Sequence, residues 1–166
     1  MDALFPRPKL KVRYKVLPRT ELSRIEPLWD KLNDHHMRTS THFEAYYGLF
    51  SFEQRMEKFE DPNLRVRIEV ATLEEQTKGG TGHTPVGYSL SSITKRAEGE
   101  LDSLFVERAY RRNGIGTRLA KKAFAWMDEE AALSKSLSVV YGNEEVLPFY
   151  RKFKFYPSRL ELNQKL

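Results

Sequence analysis

The run from residue 64 to 70 carries the most regular periodicity in the chain. Leu64, Val66, Ile68 and Val70 alternate with Arg65, Arg67 and Glu69. Side chains along a strand point to opposite faces in turn, so this pattern predicts a half-buried strand. Val86, Tyr88 and Leu90 alternate likewise and predict the return strand. Between them lies a polar stretch, Thr72 to Thr84, with Gly79, Gly80 and Gly82. It has the glycines of a phosphate loop without the Gly-Lys-Ser/Thr ending, and reads instead as a mobile hairpin connection. Upstream, Leu10, Val12, Tyr14 and Val16 alternate with Lys9, Lys11, Arg13 and Lys15. That row of cations fits a nucleic-acid stripe or, more simply, the solvated face of an edge strand blunted by lysines. A further strand spans Glu100 to Val106. Its phase slips, because Leu101 stands alone while Leu104, Phe105 and Val106 are consecutive, as a β-bulge would produce.

Helical spacing appears elsewhere. Leu22, Ile25, Leu28, Trp29 and Leu32 form one apolar stripe, with Thr20 as the expected N-cap and a kink or restart at Pro27. Ser51-x-x-Gln54 has the form of a capping box ahead of Phe52, Met56 and Phe59, which predicts a short helix ending before Pro62. Ile115, Leu119, Ala120, Ala123, Phe124 and Met127 give the face of a long helix, with Arg118, Lys121 and Lys122 outside it. Leu137 to Tyr141 reads as a short strand, Phe149, Tyr150 and Phe153 as a short helix, and Phe155 with Leu160 to Leu162 as a last strand. The predicted order β-α-α-β-β-β-α-β-α-β is a mixed α/β domain around one sheet.

The chain has 166 residues, which suits one domain able to bury a core without covalent staples. It has no Cys, which excludes a disulfide scaffold, a thiolate nucleophile and cysteine-ligated zinc. No apolar run approaches the ~18 residues a membrane helix needs. The start, Met1 to Pro6, lacks the apolar stretch of a signal peptide. A soluble cytoplasmic protein is expected. A net charge of +5 points to an anionic partner without choosing among nucleotide, nucleic acid and acidic protein.

The stretch Tyr110-Arg111-Arg112-Asn113-Gly114-Ile115-Gly116-Thr117 lies between the slipped strand and the long helix. Glycine permits positive φ and close approach of a ligand. Amides at a helix start point outward and carry partial positive charge. Together they make an anion nest suited to a pyrophosphate, and Arg111 and Arg112 add fixed charge.

Arg111-x-x-Gly114-x-Gly116 resembles the Arg/Gln-x-x-Gly-x-Gly/Ala signature of the GNAT superfamily of N-acetyltransferases. Leu104-Phe105-Val106 precedes it at that family's spacing. Asn143 followed by Phe149-Tyr150-Arg151-Lys152-Phe153-Lys154-Phe155 is similar to its second signature. The two motifs cover residues 100 to 156, the expected cofactor-binding core of a single domain over 1–166. The resemblance implies a central, mostly antiparallel sheet whose bulged fourth strand splays from the fifth. Acetyl-CoA would then lay its pantetheine arm along Leu104, Phe105 and Val106 and its pyrophosphate on the amides of Arg111, Arg112, Asn113, Gly114, Ile115, Gly116 and Thr117. Asn143 would hydrogen-bond the pantetheine arm or adenine side, Tyr150 would lie near the thioester sulfur, and Lys152 would join the cofactor side. Lys154 replaces the family's usual glycine, which puts that turn in question. Pro148 implies a bent or late-starting helix.

The implied reaction is acetyl transfer from acetyl-CoA to an amine. A lysine-type amine has a pKa near ~10.4 and must lose a proton to attack, so a base is needed directly or through water. Glu100 resembles the strand-four carboxylate that serves as base in some members, and Asp102 stands two residues on. Tyr150 fits the proton donor to the leaving thiolate. His35, His36 and His42, with Glu44, Tyr46 and Tyr47, fall on the implied acceptor side as a base, recognition residues or surface histidines of a variable loop. Adjacent His35 and His36 diverge in any regular element, so no metal is expected. Without Cys, direct transfer in a ternary complex is expected rather than a cysteinyl intermediate. The acceptor is a small-molecule or protein amine. The chain is expected as monomer or homodimer, the latter by pairing of the Arg159 to Leu166 region across a dimer. Two other readings stay open: a catalytically silent CoA-binding regulatory domain, and, ranked last, a basic nucleic-acid or ribosome-associated module.

Overall fold

The computed structural model describes residues 10–165. Met1 to Pro6, Lys9 of the cation row and Leu166 lie outside the described residues. Among the described residues five strands form one sheet in sequence order. They are β1 (Val12–Leu17), β2 (Arg65–Thr77), β3 (Gly80–Ile93), β4 (Glu98–Val106) and β5 (Ser134–Leu137). The first three pairings are antiparallel and only β4–β5 is parallel, as the mostly antiparallel expectation has it.

Helices cover both faces. A 3-10 segment (Arg19–Ile25) leads into α1 (Glu26–Thr39), and α2 (Glu44–Tyr47) and α3 (Phe52–Met56) follow. Against one face of the sheet, Ile25, Leu28, Phe52, Met56 and Phe59 pack on Ile68, Val70, Tyr88, Leu90 and Phe105. On the other face α4 (Ile115–Glu129) lays Ala120, Ala123, Phe124 and Met127 on Ile93 and Leu101, backed by α5 (Leu147–Arg151). Pro27 sits in the first turn of α1, where its missing N–H costs nothing, so it restarts the helix rather than kinking it. Thr20 lies inside the 3-10 segment and caps nothing; Pro18 precedes that segment and Ile25 precedes α1. The capping box forms as read, with Gln54 N donating to Ser51 Oγ at 3.3 Å and Ser51 N to Gln54 Oε1 at 2.9 Å.

Double coverage explains several departures from the sequence reading. The polar row of β2 faces α4 rather than water, and Glu69 is only 1% exposed. It is tolerated because it is paired: Arg67 Nη2 lies 2.9 Å and Lys122 Nζ 2.7 Å from its carboxylate. Lys122 and Arg118 therefore turn toward the sheet edge, where the Arg118 guanidinium stands 4.6 Å over the Tyr14 ring. The consecutive Leu104, Phe105 and Val106 alternate between two covered faces, with Phe105 toward α1 and Leu104 and Val106 toward α4.

The stretch read as a mobile connection is instead two strand arms, with Thr72 to Gln76 paired to Pro85 to Thr81. Apart from the buried Leu73 these arms are polar, so they show no periodicity. The fourth predicted strand pair also shifts. Ser134 to Leu137 form β5, set by their parallel register with Glu98 to Leu101, and residues 138–141 are irregular. The last predicted strand does not form: Tyr156, Leu160 and Leu162 lie exposed in irregular chain.

Candidate active site

The geometry begins at Asp102. Leu90 of β3 pairs with Ser103 and Ser91 with Leu101, so Asp102 is the extra residue of a bulge. β5 accompanies β4 only as far as Leu101. From Asp102 onward β4 leaves its parallel neighbour, and among the described residues the edge of Ser103 to Val106 on that side has no strand partner. The splay expected of the fourth strand is present.

The chain then enters the glycine loop. Arg111 to Gly114 are exposed. Arg112 takes φ 66° and Gly114 φ 77°, both left-handed. Gly114 directly precedes α4, whose first bond runs from Arg118 N to the Gly114 carbonyl at 3.0 Å. The amides of Ile115, Gly116 and Thr117 precede that bond and face outward. Ile115 contributes only its amide, since its side chain is 2% exposed in the core. Asn113 Nδ2 donates to the carbonyls of Tyr110 and Arg111 at 3.0 and 3.1 Å and holds the turn. Arg111 folds back: its Nε donates to the Val106 carbonyl at 2.9 Å, with the guanidinium 5.7 Å from the Phe105 ring. A Cβ on Gly116 would lie 3.6 Å from Val106 Cγ2, in ordinary contact.

α5 starts late, at Leu147, with Pro148 in its first turn, as expected. Tyr150 is half-buried against Phe149, their ring centroids 5.0 Å apart, and burial pushes its phenol up to about 12. Lys152 is exposed just past α5. Lys154 adopts φ 64°, the conformation its glycine counterpart would take, so the turn survives the replacement. Asn143 is buried, and its Oδ1 lies 3.3 Å from His35 Nε2.

Of the three histidines read as loop residues, only His42 lies in a loop, between α1 and α2. α1 runs to Thr39, so His35 and His36 are helical. His36 packs 5.3 Å from the Tyr47 ring, and burial, then the neighbouring His35 and Arg55 charges, pushes it down to about 4. It is therefore neutral near pH 7 and too weak a base to deprotonate an ammonium effectively. His42 stacks on Tyr141 at 6.0 Å. Among the described residues no group of three His, Cys, Asp or Glu side chains is placed to hold a metal, and no helix is long and apolar enough to cross a membrane.

Lys58 bears on both carboxylates of β4. Its ammonium pairs with Asp102 Oδ1 and lies 3.7 Å from Glu100 Oε2. The Glu100 side chain is 43% exposed and that of Asp102 4%. Burial raises the Asp102 carboxyl above its ordinary value, and Lys58 opposes the rise. Sequence reading had no signal for Lys58, a single lysine among many. The cation row of β1 is partly neutralised, with Lys11 Nζ 2.5 Å from Glu74 Oε2 and Arg13 paired to the same carboxylate.

Residues 29–155 match the model of the acetyltransferase (GNAT) family. The chain belongs to the GNAT acetyltransferase family. No curated protein sequence matches it. Among solved structures, this GNAT protein is similar to the aminoglycoside N-acetyltransferase AAC(6')-Iy in complex with CoA, at 15% identity and TM-score 0.62, covering 98% of this chain and 99% of that one. It is similar to the aminoglycoside acetyltransferase meta-AAC0020 from an uncultured soil metagenomic sample, at 18% identity and TM-score 0.58, covering 93% and 96%. It is also similar to a ribosomal-protein-alanine N-acetyltransferase from Brucella melitensis biovar Abortus 2308, at 13% identity and TM-score 0.58, covering 94% and 100%. At these identities the likeness is one of fold, and the three neighbours are two aminoglycoside acetyltransferases and one ribosomal-protein-alanine acetyltransferase.

Proposed function

We propose that the protein transfers an acetyl group from acetyl-CoA to a primary amine by direct transfer in a ternary complex. The carrying observation is the continuity of one surface: β4 parts from β5 at Asp102 and runs into the left-handed Gly114 and the outward amides of α4. Such an edge can pair with an amide-bearing arm as a further strand would. The amides and dipole at the start of α4 suit a pyrophosphate. The residues present fit the group. Backbone of Leu104, Phe105 and Val106 would hold the arm. Amides from Arg111 to Thr117, with the Arg112 guanidinium, would hold the phosphates. Asn143 and Lys152 would flank them.

Acetyl-CoA supplies an acyl group already activated as a thioester. The protein's share is proton handling and placement. Glu100, half-exposed beside Asp102, takes the proton from the entering ammonium, directly or through water, and can return it to solvent. Tyr150, held protonated by its raised pKa, donates a hydrogen bond to the departing sulfur. A thiol near ~8.5 is a stronger acid than this phenol, so Tyr150 acts while the C–S bond breaks rather than as a preformed acid. The absence of Cys removes one route to a covalent acyl-enzyme.

Calorimetric titration of acetyl-CoA into the wild type and Gly114→Glu tests this reading. Nothing lies within 4 Å of a Cβ built at Gly114, so the variant is expected to fold, with the strain of a left-handed side chain. Its carboxylate opposes the phosphates, and affinity should fall on the order of 100-fold. No binding to the wild type would sink the proposal, and a trapped acyl-enzyme with ping-pong kinetics would overturn direct transfer.

A further inference from the structure

The ammonium of Lys58 has surroundings that its place in the chain does not require. It projects from a 3-10 turn (Glu57–Glu60) on a side chain 51% exposed, yet its head reaches the buried Asp102 carboxylate. Glu100 Oε2 lies 3.7 Å away, and the Phe59 ring centroid 4.8 Å from the same Nζ. Phe59 is itself 2% exposed. Two carboxylates and an aromatic face are the groups that recognise a primary ammonium. The second oxygen, Asp102 Oδ2, is buried without a hydrogen bond of ordinary geometry, although the Ser92 hydroxyl is beside it. Asp102 is also the bulge residue, at the point where β4 parts from β5.

We propose that Asp102, Glu100 and Phe59 form the ammonium subsite for the acceptor amine, and that Lys58 fills it until a cationic acceptor displaces it. This rests on the acetyltransferase reading. Removing a partner from a buried carboxylate strands its charge, so the subsite cannot simply stand empty. Exchanging one ammonium for another keeps the charge balanced. Lysine is a flexible, strongly hydrated cation that can swing into water at small cost. The acceptor is thereby restricted to amines that arrive charged, and Glu100 is positioned beside the ammonium that must lose its proton.

Lys58→Ala tests the subsite with n-propylammonium, which replaces the deleted part of the side chain. At about ten times its Kd, propylammonium should raise the Tm of Lys58→Ala by about 3–6 °C and leave the Lys58→Ala/Asp102→Asn double variant unmoved. Equal shifts in the two variants, or none, would overturn the proposal. If Lys58→Ala does not fold, the wild type decides: the ζ-15N resonance of Lys58, assigned with Lys58→Arg, should move to its solvent-exposed position on adding spermidine. A resonance that does not move counts against the subsite. Acetyl-CoA titration of the same samples is read separately, so loss of the transferase reading and loss of the subsite are told apart.

Discussion

The glycine loop of residues 111–117 and the aromatic wall of residues 33–60 are built by different means. The loop is backbone chemistry, local in sequence. Its φ values, its Asn113 hydrogen bonds and its outward amides all come from residues within a few positions of one another. The wall is side-chain chemistry assembled at long range. His35 meets Asn143 at a separation of 108 residues and Lys58 meets Asp102 at 44. A cation is shared between the Tyr46 and Phe50 rings, with the Arg55 guanidinium 4.9 and 4.7 Å from their centroids. A local backbone motif can bind one ligand in many chains. A side-chain wall can differ from chain to chain, which is consistent with one fold serving the aminoglycoside and ribosomal-protein acetyltransferases it resembles.

Tyr150→Phe should give the largest effect and tests whether the two halves meet at one reacting centre. Proton donation by a placed side chain is worth about 10²–10⁴-fold. The variant is expected to lose roughly 10³-fold in kcat with the KM for acetyl-CoA unchanged, measured by thiol release. With a phenol near 12, the wild-type activity should show no limb from this group between pH 6 and 10. An unchanged kcat would leave Tyr150 a packing residue against Phe149.

The same contrast decides how much was legible in the sequence. Gly114 and Gly116 beside Arg111, the slipped phase before them and the late helix at Pro148 are local signals, and each has its counterpart in the fold. The Ser51 capping box is another. Long-range geometry hid the rest. β5 has little pattern of its own, because its place is fixed by parallel register with Glu98 to Leu101. The polar arms of the β2–β3 hairpin are held by pairing with each other and, on the β2 side, with Lys11, Val12 and Arg13. Glu69 looked solvent-facing until α4 covered it and Lys122 paired with it. Lys58 and Asp102 carry no shared signature, and only the bulge brings the carboxylate to the lysine.

Gly142→Ala should give the next effect, where the 141–143 segment meets the end of α1 in the wall. Gly142 has φ 103°, and a Cβ there would stand 2.0 Å from the Thr39 carbonyl oxygen at the end of α1. Left-handed strain and overpacking against backbone together should cost about 3 kcal/mol, read by urea unfolding. The displaced segment carries Tyr141 and Asn143, so the His35 contact should loosen as well. A variant as stable as wild type would show that the 141–143 segment is not tied to α1.

His36 gives the smallest effect and separates the halves by pH. In the fold its imidazole is pushed down to about 4, chiefly by burial. In the unfolded chain it takes a proton near ~6.5. Between these values the unfolded state holds the extra proton, so acid favours unfolding. The contribution of His36 is whole above pH 6.5 and declines as pH falls toward 4. With part of the ring reaching solvent, the loss should amount to about 2 kcal/mol. The stability of wild type relative to His36→Gln, from urea melts at pH 7.5 down to pH 4.5, should be constant at first and then shrink. Parallel curves would mean that His36 is open to water, and the wall would then lack the buried, neutral imidazole that Tyr47 packs against.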